Sequence, residues 1–122
     1  MNESDSDCLR EATLAAFDRQ HRAAYGSAPA AMHAWIESGA ILVVARAQAA
    51  LEARADRSLA ASLAELQHAI LADIYLRTGR LLRPGGRSAN SERGLLVLAF
   101  ERVPASALTA ARGSAPRAPL AG

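Results

Sequence analysis

One stretch, Ala31 to Arg46, limits the folds open to this chain more than any other, because it has the pattern of two strands joined by a tight turn. Apolar and more polar side chains alternate from Met32 to Glu37, which is the period of a half-buried strand. Ser38-Gly39 follows as a turn pair in which the glycine takes a positive φ without steric cost. Residues 41–45 are apolar on both faces and rich in β-branched side chains, which favours a strand inside a sheet.

A helix is predicted before this hairpin. Ser4 to Asp7 is polar and acidic and supplies capping residues, and neither glycine nor proline follows before Gly26. The helix is therefore expected to end at Tyr25, with Gly26 in the left-handed position after it. The helical spacing predicts that six of its side chains face the core: Leu9, Thr13, Leu14, Phe17, His21 and Ala24.

The region from Ala47 to Thr78 contains neither glycine nor proline and has the composition of one long helix. Asp56-Arg57-Ser58 is its weak point, because Asp and Ser compete for backbone hydrogen bonds and prefer caps. We therefore predict two helices, over Ala49–Arg54 and Ser58–Thr78, the second closed by Gly79. The apolar stripe of the second helix is expected at Leu59, Leu63, Leu66, Ile70 and Ile74.

A second pair of strands is predicted after the helices. Residues 80–83 form a short strand that Pro84 confines to an edge, because proline donates no hydrogen bond to a ladder. Residues 85–94 are polar and are expected to be a connection, and Leu95–Phe100 is an apolar strand. The predicted fold class is α+β, in the order α-β-β-α-α-β-β, with an antiparallel sheet of two hairpins and helices packed on one face. An all-α fold with one continuous helix over residues 40–78 is the alternative.

Length and composition restrict the domain count and the compartment. The 122 residues suffice for one domain, predicted over residues 1–103, and residues 104–122 are expected to be a disordered tail rich in Ala, Pro and Arg. Cys8 is the only cysteine, the acidic N-terminus has no signal-peptide pattern, and the longest apolar run is far below the about 20 residues of a membrane span. We expect a cytoplasmic protein that does not insert into the membrane itself.

Four short segments occur in a characteristic order. They are Tyr25-Gly26-Ser27-Ala28-Pro29, the hairpin over residues 33–44, Thr78-Gly79-Arg80, and the strand Val97–Phe100. In this order and spacing the chain resembles the MpsC-like family, small bacterial proteins catalogued as a domain of unknown function and labelled as part of a sodium-translocating, membrane-potential-generating system. Two positions depart from the family pattern. Ala30 stands where a basic residue is usual, and Ala49-Ala50-Leu51-Glu52 keeps only the acid of a Leu-Thr-x-x-Glu run.

The resemblance implies a small, non-catalytic auxiliary or interaction domain without a cofactor. It associates such a domain with a membrane ion or bicarbonate system, and therefore with a membrane protein partner. The resemblance covers the chain from the first helix to Phe100.

Trp35 shares one strand face with His33 and Glu37, and this face is the more polar of the two. An aromatic side chain in such a place lies under a helix or at an interface. Because a small sheet also has free edges, we predict that the chain binds a second copy of itself. The predicted interface residues are His33, Trp35, Glu37 and Tyr75.

Five arginines close together form the alternative functional lead. They lie within residues 77–93, where Glu92 is the only acidic residue, and Pro84-Gly85-Gly86-Arg87 adds backbone N–H groups that suit an anion. This pattern predicts binding of an anion, a nucleotide or, with less support, a nucleic acid. Against it, the P-loop pattern is absent, no aromatic residues are interleaved, and the net charge is only +2. The candidate residues are Arg77, Arg80, Arg83, Arg87 and Arg93.

No catalytic or metal site is predicted. The soft ligands His21, His33, His68 and Cys8 contain no pair at the spacing of a zinc site. Cys8 lies near a helix N-terminus, which favours the thiolate, but no basic partner can be assigned to it. We expect Glu65 and His68 to face solvent on the second long helix.

Overall fold

The computed structural model describes residues 3–52 and 58–103, in which helices and strands alternate in the predicted α+β order. The predicted disordered tail over residues 104–122 lies outside the described residues, as does the end of the helix predicted over Ala49–Arg54. The described elements are α1 (Glu3–Tyr25), β1 (Ala31–Glu37), β2 (Ala40–Arg46), α2 (Gln48–Glu52), α3 (Leu59–Thr78), β3 (Leu82–Asn90) and β4 (Leu95–Arg102).

The strands form one antiparallel sheet in the order β1-β2-β4-β3, so the two hairpins meet along β2 and β4. As predicted, β2 lies inside the sheet and β3 at an edge. One face of the sheet is buried under the helices; β2 and β4 give it Ile41, Val43, Ala45, Leu96, Leu98 and Phe100. The side chains between these residues are only partly buried, so the helices cover one face of these two strands, and no described helix covers the other.

The first hairpin turns through Ser38 (φ 50) and Gly39 (φ 79), which are both left-handed. Two consecutive positive φ values define the type I′ turn, whose twist matches that of the flanking strands. The turn therefore forms at the predicted pair, and it sets the register in which Ile36 opposes Ile41.

The buried stripe of α1 advances by four residues at each step, through Leu9, Thr13, Phe17 and His21. Four residues are slightly more than one turn of 3.6 residues, so the stripe moves gradually around the helix. The next residue in the stripe is Tyr25. Tyr25 is half-buried and Ala24 is exposed, so the prediction for Ala24 is wrong.

The second long helix begins and ends where the caps predict. Ser58 has extended geometry (φ −67, ψ 154), and its hydroxyl accepts a hydrogen bond from the Ala61 N–H at 3.1 Å. Gly79 is left-handed (φ 74) and donates its N–H to Tyr75 at 2.8 Å. The N-cap starts α3 as a separate helix, which excludes the continuous helix of the all-α alternative. The predicted stripe is buried except for Leu59, which is half-buried.

The strand β3 is longer than predicted, because residues 85–90 pair with β4 and do not form a connection. The pairing shifts by one residue between Pro84 and Arg87, so that Gly85 and Gly86 together oppose Ala99 in a β-bulge. Backbone groups along β4 point alternately to β2 and to β3, and the β2–β4 hydrogen bonds show which of them point to β3. The same alternation along β3 directs the backbone nitrogen of Pro84 out of the sheet. No ladder hydrogen bond is lost there, which is why the strand continues through the proline.

The two bulge glycines are expected to respond differently to alanine. A Cβ at Gly85 would lie 2.9 Å from the Ala99 Cβ and 3.1 Å from its carbonyl oxygen, whereas a Cβ at Gly86 meets nothing within 4 Å. We expect Gly85→Ala to lower the free energy of unfolding by about 1–3 kcal/mol, as overpacking does. Gly86→Ala should leave it unchanged or raise it slightly. Urea unfolding of both variants checks this, and equal effects would contradict the close approach at Gly85.

Candidate functional site

The sheet face turned away from the helices, which we call the open face, has an apolar centre. In the register, Trp35 of β1 opposes Leu42 of β2, which opposes Ala99 of β4. A parallel row runs from His33 through Val44 to Val97. No helix of residues 3–52 and 58–103 packs over these side chains, which are half-buried or exposed. The larger apolar members of the open face are Trp35, Leu42, Val44, Leu95 and Val97, and the alanines Ala31, Ala40 and Ala99 lie on it as well.

Three of the four predicted interface residues lie together on the open face. His33 and Trp35 form a tilted ring pair with centroids 5.5 Å apart, and Glu37 ends the same strand. Trp35 is 36% exposed, so its ring is available at the side of the sheet. Tyr75 lies elsewhere: it is 52% exposed on α3, in the helix layer on the other side of the sheet. The exposed side chains of Leu76 and Leu81 lie close to Tyr75 in the chain, not near Trp35.

The two edges of the sheet differ in how well they are protected from another strand. On β3, Pro84 presents no N–H to the outside, the bulge breaks the regular pattern, and Arg83 and Arg87 add charge. These are the features with which natural sheets block pairing at an edge. The other edge, β1, contains no proline, no glycine and no shift of register over its seven residues. Its one acidic residue, Glu37, is its last.

The hydrogen-bonding groups on the outer side of β1 can be assigned from the ladder. The Ala47 N–H donates to the Gly94 carbonyl, and the Arg102 N–H donates to the Gly39 carbonyl. The backbone N–H and C=O groups of the odd-numbered residues of β2 therefore point towards β4, and those of the even-numbered residues point towards β1. Alternation along β1 then directs the N–H and C=O of Met32, Ala34 and Ile36 out of the sheet. The side chains of these same three residues point towards the helices.

The five predicted anion-binding arginines do not converge on one point. Arg77 lies on α3, where its Nε is 3.2 Å from Asp73. The side chains of β3 change faces at the β-bulge. Arg83, before the bulge, lies on the open face, where its Nε donates to Glu101 at 3.1 Å. Arg87, four residues later, faces α3 instead. Arg80 follows the end of α3, and Arg93 lies in the turn between β3 and β4. Anion binding through these residues stays a prediction.

Arg87 is part of a hydrogen-bond network around a buried side chain, and this network was not predicted from the sequence. Gln67 of α3 is fully buried, and its Nε2 donates to the carbonyl oxygens of Ala99 at 2.8 Å and Gly85 at 3.3 Å. Its Oε1 accepts from Arg87 Nη1 at 3.0 Å. The helix thus supplies one amide group to a carbonyl of each strand at the bulge. The network could not be found from spacing, because Gln67 flanks the apolar stripe as an ordinary helix residue.

A second buried polar group, Asp73, ties α3 to α1. Arg19 donates to it through Nε at 3.1 Å and through Nη2, and Gln20 donates at 2.8 Å. The Asp73 side chain is only 5% exposed. The hydrogen bonds from Arg19 lower the pKa of Asp73, with further help from Gln20 and the charge of Arg77, against the opposing effect of burial. The same hydrogen bonds raise the pKa of Arg19. This arrangement joins two helices and leaves the carboxylate no free position for a ligand.

The histidines and the cysteine do not assemble. His21 is buried between Phe17 and Tyr25, and its Nδ1 is hydrogen-bonded to the Ser27 carbonyl, which ties α1 to the loop after it. Cys8, Glu65 and His68 are exposed, the last two as predicted. Among the described side chains, those of residues 6–52 and 58–103, no three potential ligands lie close enough to hold a metal ion. Across the same ranges, no helix combines the length and hydropathy needed to span a bilayer.

Comparison of the chain with known protein families, curated proteins and solved structures finds no match.

Proposed function

We propose that this chain is a non-catalytic interaction domain that acts as a homodimer, joined on the side of the sheet where Trp35 and β1 lie. The observation that carries the proposal is the coincidence of two features at one place. The apolar centre of the open face extends to Trp35, and the strand that bears Trp35 is the edge strand that contains no proline, glycine or bulge. Exposed aromatic side chains and unblocked strand edges are both typical of contact surfaces.

A membrane protein is the further partner in this proposal. The resemblance to the MpsC-like family supports it, because that family is labelled as part of a membrane ion system. On this proposal the domain serves as an auxiliary component that contributes binding and not chemistry.

The mass in solution tests the proposal directly. We expect sedimentation equilibrium of the full chain to give twice the 12.8 kDa of one copy at micromolar concentrations. Trp35→Glu should shift the protein to the monomer, because a carboxylate at this place is desolvated and lies beside Glu37. The circular dichroism spectrum should not change, since Trp35 is 36% exposed.

Leu76→Glu is the matched control, since Leu76 is 81% exposed on the helix layer. It introduces the same charge away from the open face and should leave the dimer intact. A monomeric wild-type chain, or a dimer that only Leu76→Glu dissociates, would overturn the proposed surface.

A further inference from the structure

We infer that two copies of the chain pack their open faces together about a two-fold axis parallel to the strands, and so form a sandwich of two sheets with the helices outside. This inference rests on the proposed function, since it specifies the surface and the orientation with which the domain binds a second copy. Side chains of the face make the contact, and the outer backbone of β1 takes no part in it, because Ala34 at the centre of that edge is only 3% exposed.

Side-chain size falls across the open face from β1 to β3. In one row, Trp35 of β1 is followed by Leu42 of β2 and Ala99 of β4, and the fourth strand contributes only the two glycines of the bulge. The neighbouring row falls in the same way, through His33, Val44, Val97 and Ser88. The open face is therefore a wedge, thick at β1 and thin at β3.

A two-fold axis that runs parallel to the strands, between β2 and β4, stacks two such wedges with opposite taper. It places β1 of each copy over β3 of the other, and β2 over β4. The facing pairs are then Trp35 with the bulge glycines, Leu42 with Ala99, Val44 with Val97, and His33 with Ser88. A large side chain meets a small one or two medium ones meet, so the two layers can keep the about 10 Å spacing of aligned sheets along their whole width.

An axis across the strands is the other two-fold arrangement of two faces, and the taper argues against it. It places β1 over β1 and β3 over β3, so that Trp35 meets His33 of the second copy while the bulge glycines meet Ser88. The two faces would touch at β1 and leave a gap at β3. Side chains that line such a gap lose their dispersion contacts.

The acidic and basic side chains of the face favour the same orientation. Glu37 begins the outermost row on β1, and Arg83 ends that row on β3. With β1 over β3, Glu37 faces Arg83 of the second copy, twice by symmetry. Arg83 already donates to Glu101 of its own chain at 3.1 Å, and a guanidinium has enough N–H groups for two carboxylates. Exposed pairs of this kind contribute little affinity, but they favour one orientation over the other.

The opposite end of the face holds one basic residue, Arg46, which is exposed. In the proposed orientation it comes over Leu95 of the second copy. Its aliphatic stem can cover the leucine while its guanidinium stays in water at the rim.

The size of the face sets the expected strength of the contact. Four strands at a spacing of about 4.8 Å and seven residues at about 3.4 Å give a face of roughly 450 Å² in plan, and the relief of the side chains adds accessible area. Specific interfaces begin at roughly 600 Å² on each partner. We therefore expect a dissociation constant in the micromolar range, and the experiments belong at concentrations on both sides of it.

One bulky residue on either face of β3 tests the contact. Ser88 is exposed on the open face, whereas its neighbour Ala89 is exposed on the face towards the helices, beside a cavity of about 380 Å³. Ser88→Tyr thickens the face where it has to be thin and meets His33 of the second copy. In sedimentation equilibrium it should raise the dissociation constant by about tenfold or more, as overpacking of a contact does. Ala89→Tyr adds the same side chain outside the contact and should leave the constant unchanged.

Both variants should keep the circular dichroism spectrum of the wild type, since tyrosine suits a strand. A dimer that Ser88→Tyr leaves intact, or that Ala89→Tyr dissociates equally, would overturn the packing of open faces and leave the proposed dimer standing. A wild-type chain that is monomeric throughout would remove the proposed function and this inference together.

A mixture of two charge variants tests the orientation. Glu37→Arg places a second cation against Arg83 of the other copy, and Arg83→Glu places a second acid against Glu37. Each variant alone should dimerise about tenfold more weakly than the wild type, because like charges then face each other twice. Mixing the two variants restores both opposite pairs, so their heterodimer should have a dissociation constant near that of the wild type. An axis across the strands sets Glu37 against Ala31 instead, and a mixture no tighter than its components would overturn the orientation along the strands.

The fluorescence of Trp35 reports its own cover, because it is the only tryptophan in the chain. One copy leaves this side chain at the exposed end of the face, and the sandwich encloses it between two sheets. We expect the emission maximum to move to shorter wavelength, and quenching by acrylamide to fall, as the concentration rises through the dissociation constant. Emission and quenching that stay constant while sedimentation shows a dimer would overturn the place of Trp35 in the contact.

Discussion

Replacing Gln67 with leucine is expected to lower the free energy of unfolding by about 2–4 kcal/mol, because two half-buried carbonyl groups lose the donor that the helix supplies. Leucine keeps the volume of the side chain but removes the N–H groups that reach Ala99 and Gly85. Each buried carbonyl left without a donor costs about 1–3 kcal/mol. The measurement is urea unfolding followed by circular dichroism.

Two further variants separate the parts of this network. Gln67→Glu keeps the shape but turns a carboxylate oxygen towards the two carbonyl oxygens, and it should be at least as unstable as Gln67→Leu. Arg87→Ala removes only the donor to the amide oxygen at 3.0 Å and should lower the free energy of unfolding by about 1 kcal/mol. Wild-type stability in Gln67→Leu would show that solvent reaches the bulge carbonyls.

The second large effect is expected at Asp73, and it should depend on pH. Asp73→Asn retains an acceptor for Arg19 but removes the charge, which should lower the free energy of unfolding by about 2 kcal/mol at pH 7. The pKa of Asp73 is lowered in the folded protein, so as the pH falls the unfolded chain takes up the proton first. The stabilisation is present above the pKa that this carboxyl has in the unfolded chain and disappears as the pH falls through its lower folded pKa.

Unfolding curves of wild type and Asp73→Asn should therefore differ near neutral pH and converge in acid. Asp18→Asn is the matched control, because Asp18 also pairs with an arginine, Arg22, at 3.1 Å, but on the exposed side of α1. An exposed pair contributes about 0–1 kcal/mol, so this variant should change little at any pH. A difference for Asp73→Asn that stays constant down to low pH would contradict the role of its charge.

The elements that local chemistry specifies were predictable. Ser38-Gly39 forms the turn, Ser58 and Gly79 bound α3, and the alternation from Met32 to Glu37 gives β1. In each case neighbouring residues carry the information, since caps and turns are satisfied within a few positions.

What the sequence did not reveal depends on partners distant in the chain. Residues 85–90 have the composition of a loop and become a strand because β4 offers them a ladder, so tertiary pairing overrides local preference. Gln67 and Asp73 have the sequence context of ordinary helix residues. Their partners Ala99 and Arg19 are 32 and 54 positions away, and only the fold brings them together. Tyr75 was grouped with Trp35 on residue type, and the sheet separates the two.

The inequality of the two sheet edges has a consequence for how large an assembly can grow. A sheet with two available edges is a divalent unit, and its copies add to one another without limit, as in a fibre. In the proposed homodimer, Pro84, the bulge and two arginines would keep β3 from pairing, so each copy would have a valence of one. A two-fold contact between monovalent units ends growth at the first addition. On this proposal, the irregular strand on one side of the sheet would limit the stoichiometry of the proposed contact on the other.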